Sequence, residues 1–252
     1  MAKQKGTVQM QGTIGNLTFF KSIDGYMVKA KSEVSGDRIK SDPKFARTRE
    51  NMAEFGNAGK SGKIIRAPFN NLLNISSDPR MVSRLTAQCL QVIKTDTKAK
   101  RGKRTVANGD LSLFKDFEFN NKGILSTTLQ VPYTVSFTRT SGALQFVLPA
   151  FVPQSGIAAP QGATHFQVQL AAAAINFNAK KNQEFQIASD ILPWDINLTA
   201  DLKLSLELPA SSAYPVFILL QVQFMEQLNG DYYSLQNGAY NACSIIDIDQ
   251  PA

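Results

Sequence analysis

The sequence contains few of the residues from which catalytic and metal sites are usually built. Its 252 residues include a single histidine, His165, and two cysteines, Cys89 and Cys243, that lie far apart in the chain. Histidine-based triads, cysteine–histidine dyads and zinc sites therefore have little material. Paired carboxylates are possible in principle, but no local spacing marks such a pair. We therefore expect no enzyme activity, no catalytic residues, no metal site and no bound cofactor.

Long apolar runs are missing as well. No stretch approaches the roughly 18 apolar residues that a membrane-spanning helix needs, so we expect no membrane span. The opening segment, MAKQKGTVQMQG, has lysines but no apolar region after them, which argues against a Sec signal peptide. We expect synthesis in the cytoplasm, and the sequence leaves the final location open.

The glycine-rich segment FGNAGKSGKIIR at residues 55–66 lacks the spacing of a nucleotide-binding loop. A Walker A loop has a glycine five positions before its Gly-Lys pair, but Glu54 lies five positions before Gly59. The other lysine of the segment, Lys63, is followed by isoleucine instead of serine or threonine. A helical pattern precedes the segment, where a P-loop requires a strand. We predict instead a helix whose small residues permit close packing.

Charge is distributed unevenly along the chain. The overall charge is +7, but residues 1–120 hold 22 lysines and arginines against 11 acidic residues, whereas residues 121–252 hold 5 against 9. The first part is therefore strongly basic and the second mildly acidic. This asymmetry indicates either a polyanionic partner for the basic part or contacts between opposite parts of neighbouring subunits.

Residues 6–32 have the pattern of a β-meander. The segments GTVQMQGTIGNLTFF and GYMVKAK are strand-like, and Gly15-Asn16 and Asp24-Gly25 supply the turns. We expect positive φ at both residues of the Asp-Gly turn. A ribbon with so few large apolar residues is marginal alone, so it must pack on its own chain or on a neighbour. The side chains that we expect to take part in strand exchange are Leu17, Phe19, Tyr26 and Val28.

Residues 42–95 have helical patterns. Two helix starts share one signature, Asp42-Pro43 and Asp78-Pro79, in which aspartate can cap the helix and proline suits its first position. Three glycines and Pro68 predict a break within residues 56–68 of the first helix. The second helix has one apolar stripe, which makes its cysteine a core thiol. The residues of this stripe are Met81, Leu85, Cys89 and Val92.

From about residue 110 onwards, apolar and polar residues alternate with period two, as in LTADLKLSLEL. Turn signals separate the runs, and short strands at this spacing predict an antiparallel β-sandwich of Ig-like or jelly-roll type. FILLQVQF is a predicted central strand, and we assign LAAAAINF to a strand from its context. The predicted strands are residues 111–119, 124–138, 143–149, 164–170, 184–188, 200–208, 215–227, 231–235 and 242–248.

These patterns together predict an α+β protein in three segments. Residues 1–34 form a β-ribbon arm, residues 35–105 form a basic helical region with a linker, and residues 106–252 form the β-sandwich domain.

The segment KTDTKAKRGKRTVANGD, residues 94–110, contains the densest basic run, namely Lys98, Lys100, Arg101, Lys103 and Arg104. These side chains could neutralise the phosphates of a nucleic acid, although the segment has no aromatic residue on which a base could stack. The alternatives are a contact with an acidic part of a neighbouring subunit and a solvated linker between the helical and β regions. The sequence leaves these three interpretations open.

Several segments together resemble a known family. They are KGTVQMQGTIGNLTFFKSIDGYMVKAK, DPKFARTRENMAEFGNAGKSGK, ATHF, ILPWD and NGAYNACSI, and they extend over nearly the whole chain. In these segments the chain resembles a family of uncharacterised proteins encoded by Bacteroidota. The family supplies no activity, cofactor or catalytic residue that could be transferred to this chain, so the resemblance leaves the function open.

The patterns favour a structural protein that assembles with copies of itself, as the subunit of a homo-oligomeric filament, tube, sheath or shell. The alternative is a nucleic-acid-binding protein, packaging-related or coat-like, that uses the basic N-terminal half. A carbohydrate-binding β-sandwich is a third class. Its usual signal is exposed aromatic residues, and the one cluster in this sequence is Tyr232, Tyr233 and Tyr240.

Overall fold

The fold is described from a computed structural model that covers residues 1–31, 34–179 and 182–251. The chain divides into two compact units, Met1–Asn51 and Met52–Ala252. The predicted α+β class is confirmed, since a small N-terminal sheet, a helical region and two antiparallel sheets follow one another along the chain. Positions 32 and 33 of the predicted arm, and 180, 181 and 252 of the predicted β segment, lie outside the described residues. The segment boundaries 1–34, 35–105 and 106–252 stay predictions.

The N-terminal unit contains a four-stranded antiparallel sheet. Its strands are β1 (Ala2–Lys3), β2 (Gly12–Ile14), β3 (Leu17–Ser22) and β4 (Gly25–Ala30), in the order β1-β4-β3-β2. Both predicted turns are present, and Gly15 and Gly25 adopt the positive φ angles of +56° and +105° that favour glycine. Within the described chain, Asp24 does not share this conformation, so the expectation of positive φ at both turn residues is wrong.

Residues 6–11, which the sequence predicts to be a strand, lie outside every strand ladder that the structure describes. The amide of Gln4 explains the departure, because its Nε2 donates to the Met10 carbonyl (3.2 Å) and its Oε1 accepts from the Met10 N–H (2.9 Å). The chain therefore makes a loop between Gln4 and Met10 before β2 begins. All six residues of the segment are exposed.

Of the two predicted helix starts, Asp42-Pro43 is confirmed, whereas α4 (Met81–Thr95) begins two residues after Pro79 without a side-chain cap. Helix α1 (Gly36–Ser41) precedes Asp42, whose Oδ1 accepts from the Lys44 N–H at 2.9 Å and caps a short 3₁₀ turn. Helix α2 then runs over Ala46–Arg66. The predicted break within residues 56–68 is confirmed, but it lies at Pro68 and not at the glycines, since the helix continues through all three of them. It changes to a 3₁₀ turn only at Ala67–Phe69, which contains Pro68.

Tertiary packing explains why α2 tolerates its glycines. Gly62 is buried against the next long helix, where a Cβ atom would make ordinary contacts of 3.6 Å with Leu85 Cγ and 3.7 Å with Cys89 Sγ. That helix is α4 (Met81–Thr95), which follows the short α3 (Asn70–Leu73). Its predicted apolar stripe is confirmed, because all four stripe residues are buried.

The larger sheet of the second unit has β11 at its centre. Its strands are β7 (His165–Ala174), β8 (Glu184–Ala188), β9 (Leu192–Pro193), β11 (Val216–Leu228), β12 (Asp231–Ser234) and β13 (Ala242–Asp249). On one side β11 pairs with β7, and on the other it pairs with β13 and then β12, always antiparallel. The assignments of FILLQVQF to a central strand and of LAAAAINF to a strand are confirmed, the latter up to Ala174.

A smaller sheet packs against one face of the larger one. It consists of β5 (Thr134–Thr138), β6 (Ala143–Leu148) and β10 (Leu202–Glu207), in the order β10-β6-β5. Alternate residues such as Phe146 and Leu204 meet Phe166 and Ile218 of the large sheet in one core, which makes the two sheets a sandwich. The connections of the sandwich contain the two short helices α5 (Leu125–Thr128) and α6 (Pro153–Gly156).

The opposite face of the large sheet is also covered. Phe217 and Leu219 of β11 pack with Ile65 of α2 and Leu85 of α4 in a second core. Burial of both faces removes the alternation that a half-exposed strand would show, which is why FILL and AAAA are continuous apolar runs.

Of the strands predicted in this unit, 111–119 is wrong, and 124–138 is confirmed only in its last five residues. Residues 111–119 begin with a 3₁₀ turn at Leu111–Phe114 and then follow the edge of β13, where the Phe119 N–H donates to the Cys243 carbonyl at 2.8 Å. Residues 124–138 contain α5 before β5 begins at Thr134. In both places the apolar residues are spaced as in a strand because they are buried in a core, but their backbone does not form the hydrogen bonds of a regular strand.

Among the residues covered, no helix combines the length and apolar character that crossing a bilayer requires.

Candidate contact surfaces

Residues 96–108, here called the basic loop, fold around a buried carboxylate. Asp96 is 3% exposed, and its Oδ1 accepts from the N–H groups of Lys98 (2.8 Å) and Ala99 (3.1 Å). Its Oδ2 accepts from the Thr105 N–H at 3.0 Å and from Asn108. Burial alone would raise the pKa of Asp96, but these donors outweigh it and the pKa lies below its usual value. The side chain of Asp96 therefore holds the basic loop in a defined conformation, and the loop is not a freely solvated linker.

A second buried carboxylate fastens the basic loop to α2. Glu54 Oε1 accepts from Arg104 Nε (2.7 Å) and from the Gly102 N–H (2.8 Å), while its Oε2 accepts from Arg104 Nη2 (2.8 Å). The hydrogen bonds from Arg104 hold the pKa of Glu54 below its usual value in spite of burial. One of the five basic residues that the sequence singled out is thus part of an internal bidentate ion pair.

The other four basic residues of the run are exposed. They are Lys98, Lys100, Arg101 and Lys103. Because Glu54 and Asp96 fix the backbone that carries them, their charges are presented by an ordered loop. Such a loop loses less conformational entropy when it binds an anionic surface than a flexible one would.

The structure brings the four predicted strand-exchange residues onto one face of the N-terminal sheet. Phe19 pairs directly with Val28, Leu17 pairs with Ala30, and Tyr26 pairs with Lys21. Paired residues of antiparallel strands share a face, so these side chains form one surface. We call it the arm face, and its large apolar residues are Ile14, Leu17, Phe19, Tyr26 and Val28. Lys21 lies on the same face, with its Nζ 5.5 Å from the centre of the Tyr26 ring.

The arm face has little apolar packing beneath it. Ile14 is 62% exposed and Leu17 is 45% exposed, and within residues 1–31 no side chain is buried. The opposite face carries Phe20 and Met27, and Lys29 Nζ lies 5.6 Å from the centre of the Phe20 ring. The sheet is therefore held by its backbone ladder without a buried core, a condition in which small sheets are marginal.

Sequence reasoning missed a groove in the second unit, here called the acidic groove. It has a volume of about 500 Å³ and lies where the chain leaves β8 and enters β10. Its walls carry three aspartates and several leucines, namely Asp190, Asp195, Asp201, Leu192, Leu198 and Leu204. These aspartates are spread over twelve positions of an irregular segment, so no periodicity in the sequence marks them.

A larger cavity, of about 710 Å³, is lined by Glu118, Asp116 and Tyr133. Glu118 Oε1 accepts from the Leu125 N–H at 3.0 Å, whereas its Oε2 is buried without a partner in the described part of the chain. Burial raises the pKa of Glu118 to about 7, and the nearby Asp116 charge adds to the rise. The group can therefore change its protonation state near neutral pH.

Metal and thiol chemistry have little support in the described ranges. Across residues 1–31, 34–179 and 182–251, no three histidine, cysteine, aspartate or glutamate side chains are placed to hold a metal ion. Cys89 and Cys243 are buried, and burial raises the pKa of each thiol to about 12. A thiol with that pKa forms almost no thiolate at neutral pH, so neither is suited to act as a nucleophile.

Comparisons with known proteins give little further information. No family model matches the sequence, and no curated protein matches it either. A solved structure from a study of the pH-induced modulation of Streptococcus parasanguinis adhesion by Fap1 fimbriae matches 50% of this chain and 84% of its own, at 9% identity and a TM-score of 0.26. A TM-score of that size does not establish a common fold.

Proposed function

We propose that this protein is a structural subunit that assembles with copies of itself into a homo-oligomeric filament, tube, sheath or shell. The observation that carries the proposal is the arm face, an apolar surface on a sheet whose described residues include none that is buried. Complete burial of an exposed side chain such as Ile14 would contribute up to about 1.5–3 kcal/mol, and further covering of the half-buried Phe19 adds to it. A neighbouring subunit can supply that cover, and the sheet then gains the packing that it lacks.

The charge distribution supports the same proposal. A strongly basic first part and a mildly acidic second part give each subunit complementary surfaces. Contacts between unlike surfaces are head-to-tail, and they produce rings or open helices depending on the rotation between subunits.

Negative-stain electron microscopy and multi-angle light scattering of the full-length protein test the proposal. We expect defined particles or filaments at moderate salt, with a mass well above that of one chain. A strict monomer at high protein concentration would exclude the proposal.

A matched pair of variants tests whether the arm face makes the contact. Phe19→Gln removes an aromatic side chain from the arm face, and Phe20→Gln removes the same side chain from the opposite face of the same strand. We expect Phe19→Gln to raise the concentration needed for assembly about tenfold or more, because roughly 1.5 kcal/mol or more of apolar burial is removed. Phe20→Gln should change it much less, and equal effects of the two variants would argue against the arm face.

A second candidate function, nucleic-acid binding, has one specific observation in its favour. Four exposed basic side chains lie on the ordered basic loop. The test replaces them with glutamine and keeps Arg104, because removing Arg104 would leave Glu54 unpaired. We expect the slope of log affinity against log salt to fall by about 0.9 for each phosphate that the loop no longer neutralises.

The control for this test removes four positive charges outside the basic loop. Its substitutions are Lys60→Gln, Lys63→Gln, Lys122→Gln and Lys203→Gln. Retention of nucleic acid that falls equally in both variants would indicate a non-specific charge effect, and retention unchanged in the loop variant would exclude the loop as the binding element.

A further inference from the structure

The segment of residues 6–11, here called the donor segment, has the pattern of a strand without a partner strand. Gly6, Val8 and Met10 alternate with polar residues, yet the segment joins no ladder in the described structure. Val8 is 77% exposed and Met10 is 41% exposed. A segment with this pattern can complete its hydrogen bonds by adding to the edge of a sheet.

One edge of the smaller sheet is open to such an addition. β10 pairs with β6 over its six residues, from Leu202 to Glu207, and no second ladder is present in the described ranges. β8 approaches β10 without pairing with it. Where the two strands part, the first three residues of β10 line the acidic groove. These three residues present about 10 Å of strand edge.

The chemistry of the acidic groove complements the donor segment. Leu192 and Leu198 provide apolar contacts for alternate side chains of an added strand. Three aspartates line the groove together with these leucines, and among the lining residues that the structure describes Lys203 is the one lysine. The donor segment is preceded by two lysines, Lys3 and Lys5, and it contains no acidic residue. The positive charge and the apolar side chains at the donor segment therefore complement the aspartates and leucines of the acidic groove.

We infer that residues 6–11 of one copy add as a strand to the β10 edge in the acidic groove of a second copy. The inference rests on the proposed self-assembly and names the surfaces that make one of its contacts. The contact joins two different surfaces, so it propagates from copy to copy and does not close as a two-fold dimer.

Disulfide trapping between two variants tests the inference. One variant carries Val8→Cys and the other carries Lys203→Cys, and both native cysteines are buried and unreactive. A disulfide requires Cα atoms within about 7 Å, so it reports direct neighbourhood. After the two variants are mixed, allowed to assemble and oxidised, we expect a covalent dimer that contains one chain of each. The matched control replaces Ser136 of β5, on the other edge of the same sheet, in place of Lys203, and it should not form this dimer.

Three outcomes would overturn the inference. The first is wild-type assembly by light scattering without any mixed dimer, which leaves the proposed function intact. The second is equal trapping with Ser136→Cys. The third concerns a further variant that carries Val8→Cys and Lys203→Cys in one chain: a disulfide formed within that chain would place the donor segment in its own groove. A wild-type protein that stays monomeric would instead contradict the proposed self-assembly. Failure of the inference and failure of the proposed function can therefore be told apart.

A charge exchange gives an independent readout. Asp190→Lys should weaken assembly, and combining it with Lys5→Glu should restore it, because the attraction is then re-established with reversed signs. Assembly unaffected by Asp190→Lys, or not restored by the second change, would contradict the placement of the lysines beside the groove.

Discussion

At the residue scale, buried carboxylates organise the segments that the sequence leaves undefined. Glu54 and Asp96 each accept hydrogen bonds from the basic loop, and together they convert a run of like charges into a fixed loop. Positive charges that would repel one another in a flexible chain are thereby held at set positions. The ion pair between Glu54 and Arg104 is the interaction on which this arrangement depends most.

Replacing Arg104 with glutamine should destabilise the protein. Glu54 would remain buried without its bidentate partner, and we expect a loss of about 2–3 kcal/mol in the free energy of unfolding. Lys103→Gln removes the same charge from the adjacent exposed position and should cost within about 0.5 kcal/mol. Urea unfolding midpoints measure both, and equal midpoints for the two variants would contradict the structural role of Arg104.

Glu118 should make stability depend on pH in the neutral range. Its pKa is raised in the folded protein to about 7, above the value of 4.5 for the ordinary group. The folded state therefore favours the protonated form. The stabilisation is complete below about pH 4.5 and is lost as the pH rises towards 7.

Substitution of Glu118 with glutamine isolates this effect. The difference in unfolding free energy between wild type and Glu118→Gln should change by about 1–2 kcal/mol between pH 4.5 and 7.5, in the direction that disfavours the wild type at high pH, after allowance for solvent screening. Parallel pH profiles of the two proteins would show that Glu118 titrates normally.

Residue-level features were predictable where they are local. The cap at Asp42 and the stripe of α4 follow from spacings of a few positions, and the structure confirms them, whereas Asp78 accepts from the Arg80 N–H in the turn before α4 and does not cap that helix. The pair of Glu54 and Arg104 was not predictable, because its members are 50 positions apart. A single sequence carries no signal for an interaction at that separation.

At the element scale, tertiary packing overrides intrinsic preference. Three glycines in one helix disfavour it by about 1 kcal/mol each relative to alanine, yet the break predicted within residues 56–68 occurs only at Pro68, after α2 has passed all three glycines. The helix persists through the glycines because its buried residues, such as Ala58 and Ile65, pack in the second core. The failed strand at residues 111–119 has a related cause, since its apolar residues enter a core without forming a regular strand.

Substitutions at two glycines of α2 distinguish the effect of intrinsic helix propensity on stability from the effect of packing against α4. Gly59→Ala and Gly62→Ala should each stabilise the protein by about 0.5–1 kcal/mol, because both sites accept a Cβ atom without a clash. Gly62→Leu should instead cost about 1–3 kcal/mol, because the larger side chain overpacks against Leu85 and Cys89. Thermal unfolding followed by circular dichroism measures all three, and a stable Gly62→Leu variant would show that the helices do not approach closely.

At the scale of the whole molecule, the second unit has what the N-terminal sheet lacks, namely two extensive apolar cores. Removing residues 1–31 should therefore abolish assembly and leave the rest of the chain folded. Trp194, whose indole N–H donates to the Ile157 carbonyl at 3.0 Å, provides a fluorescence probe of the folded second unit. We expect the free energy of unfolding of the second unit to change by no more than about 0.5 kcal/mol, the size of a surface effect. Loss of cooperative unfolding would mean that the arm supports the second unit.

The central position of the large sheet has a consequence for how this unit comes apart. Along β7 and β11, successive side chains point alternately into one core and into the other. The same two strands therefore separate the two cores and belong to both. Neither core can melt while the other persists, because opening either one exposes the same two strands. Amide hydrogens of β7 and β11 should therefore exchange with solvent last and at a common rate, through complete unfolding of the unit.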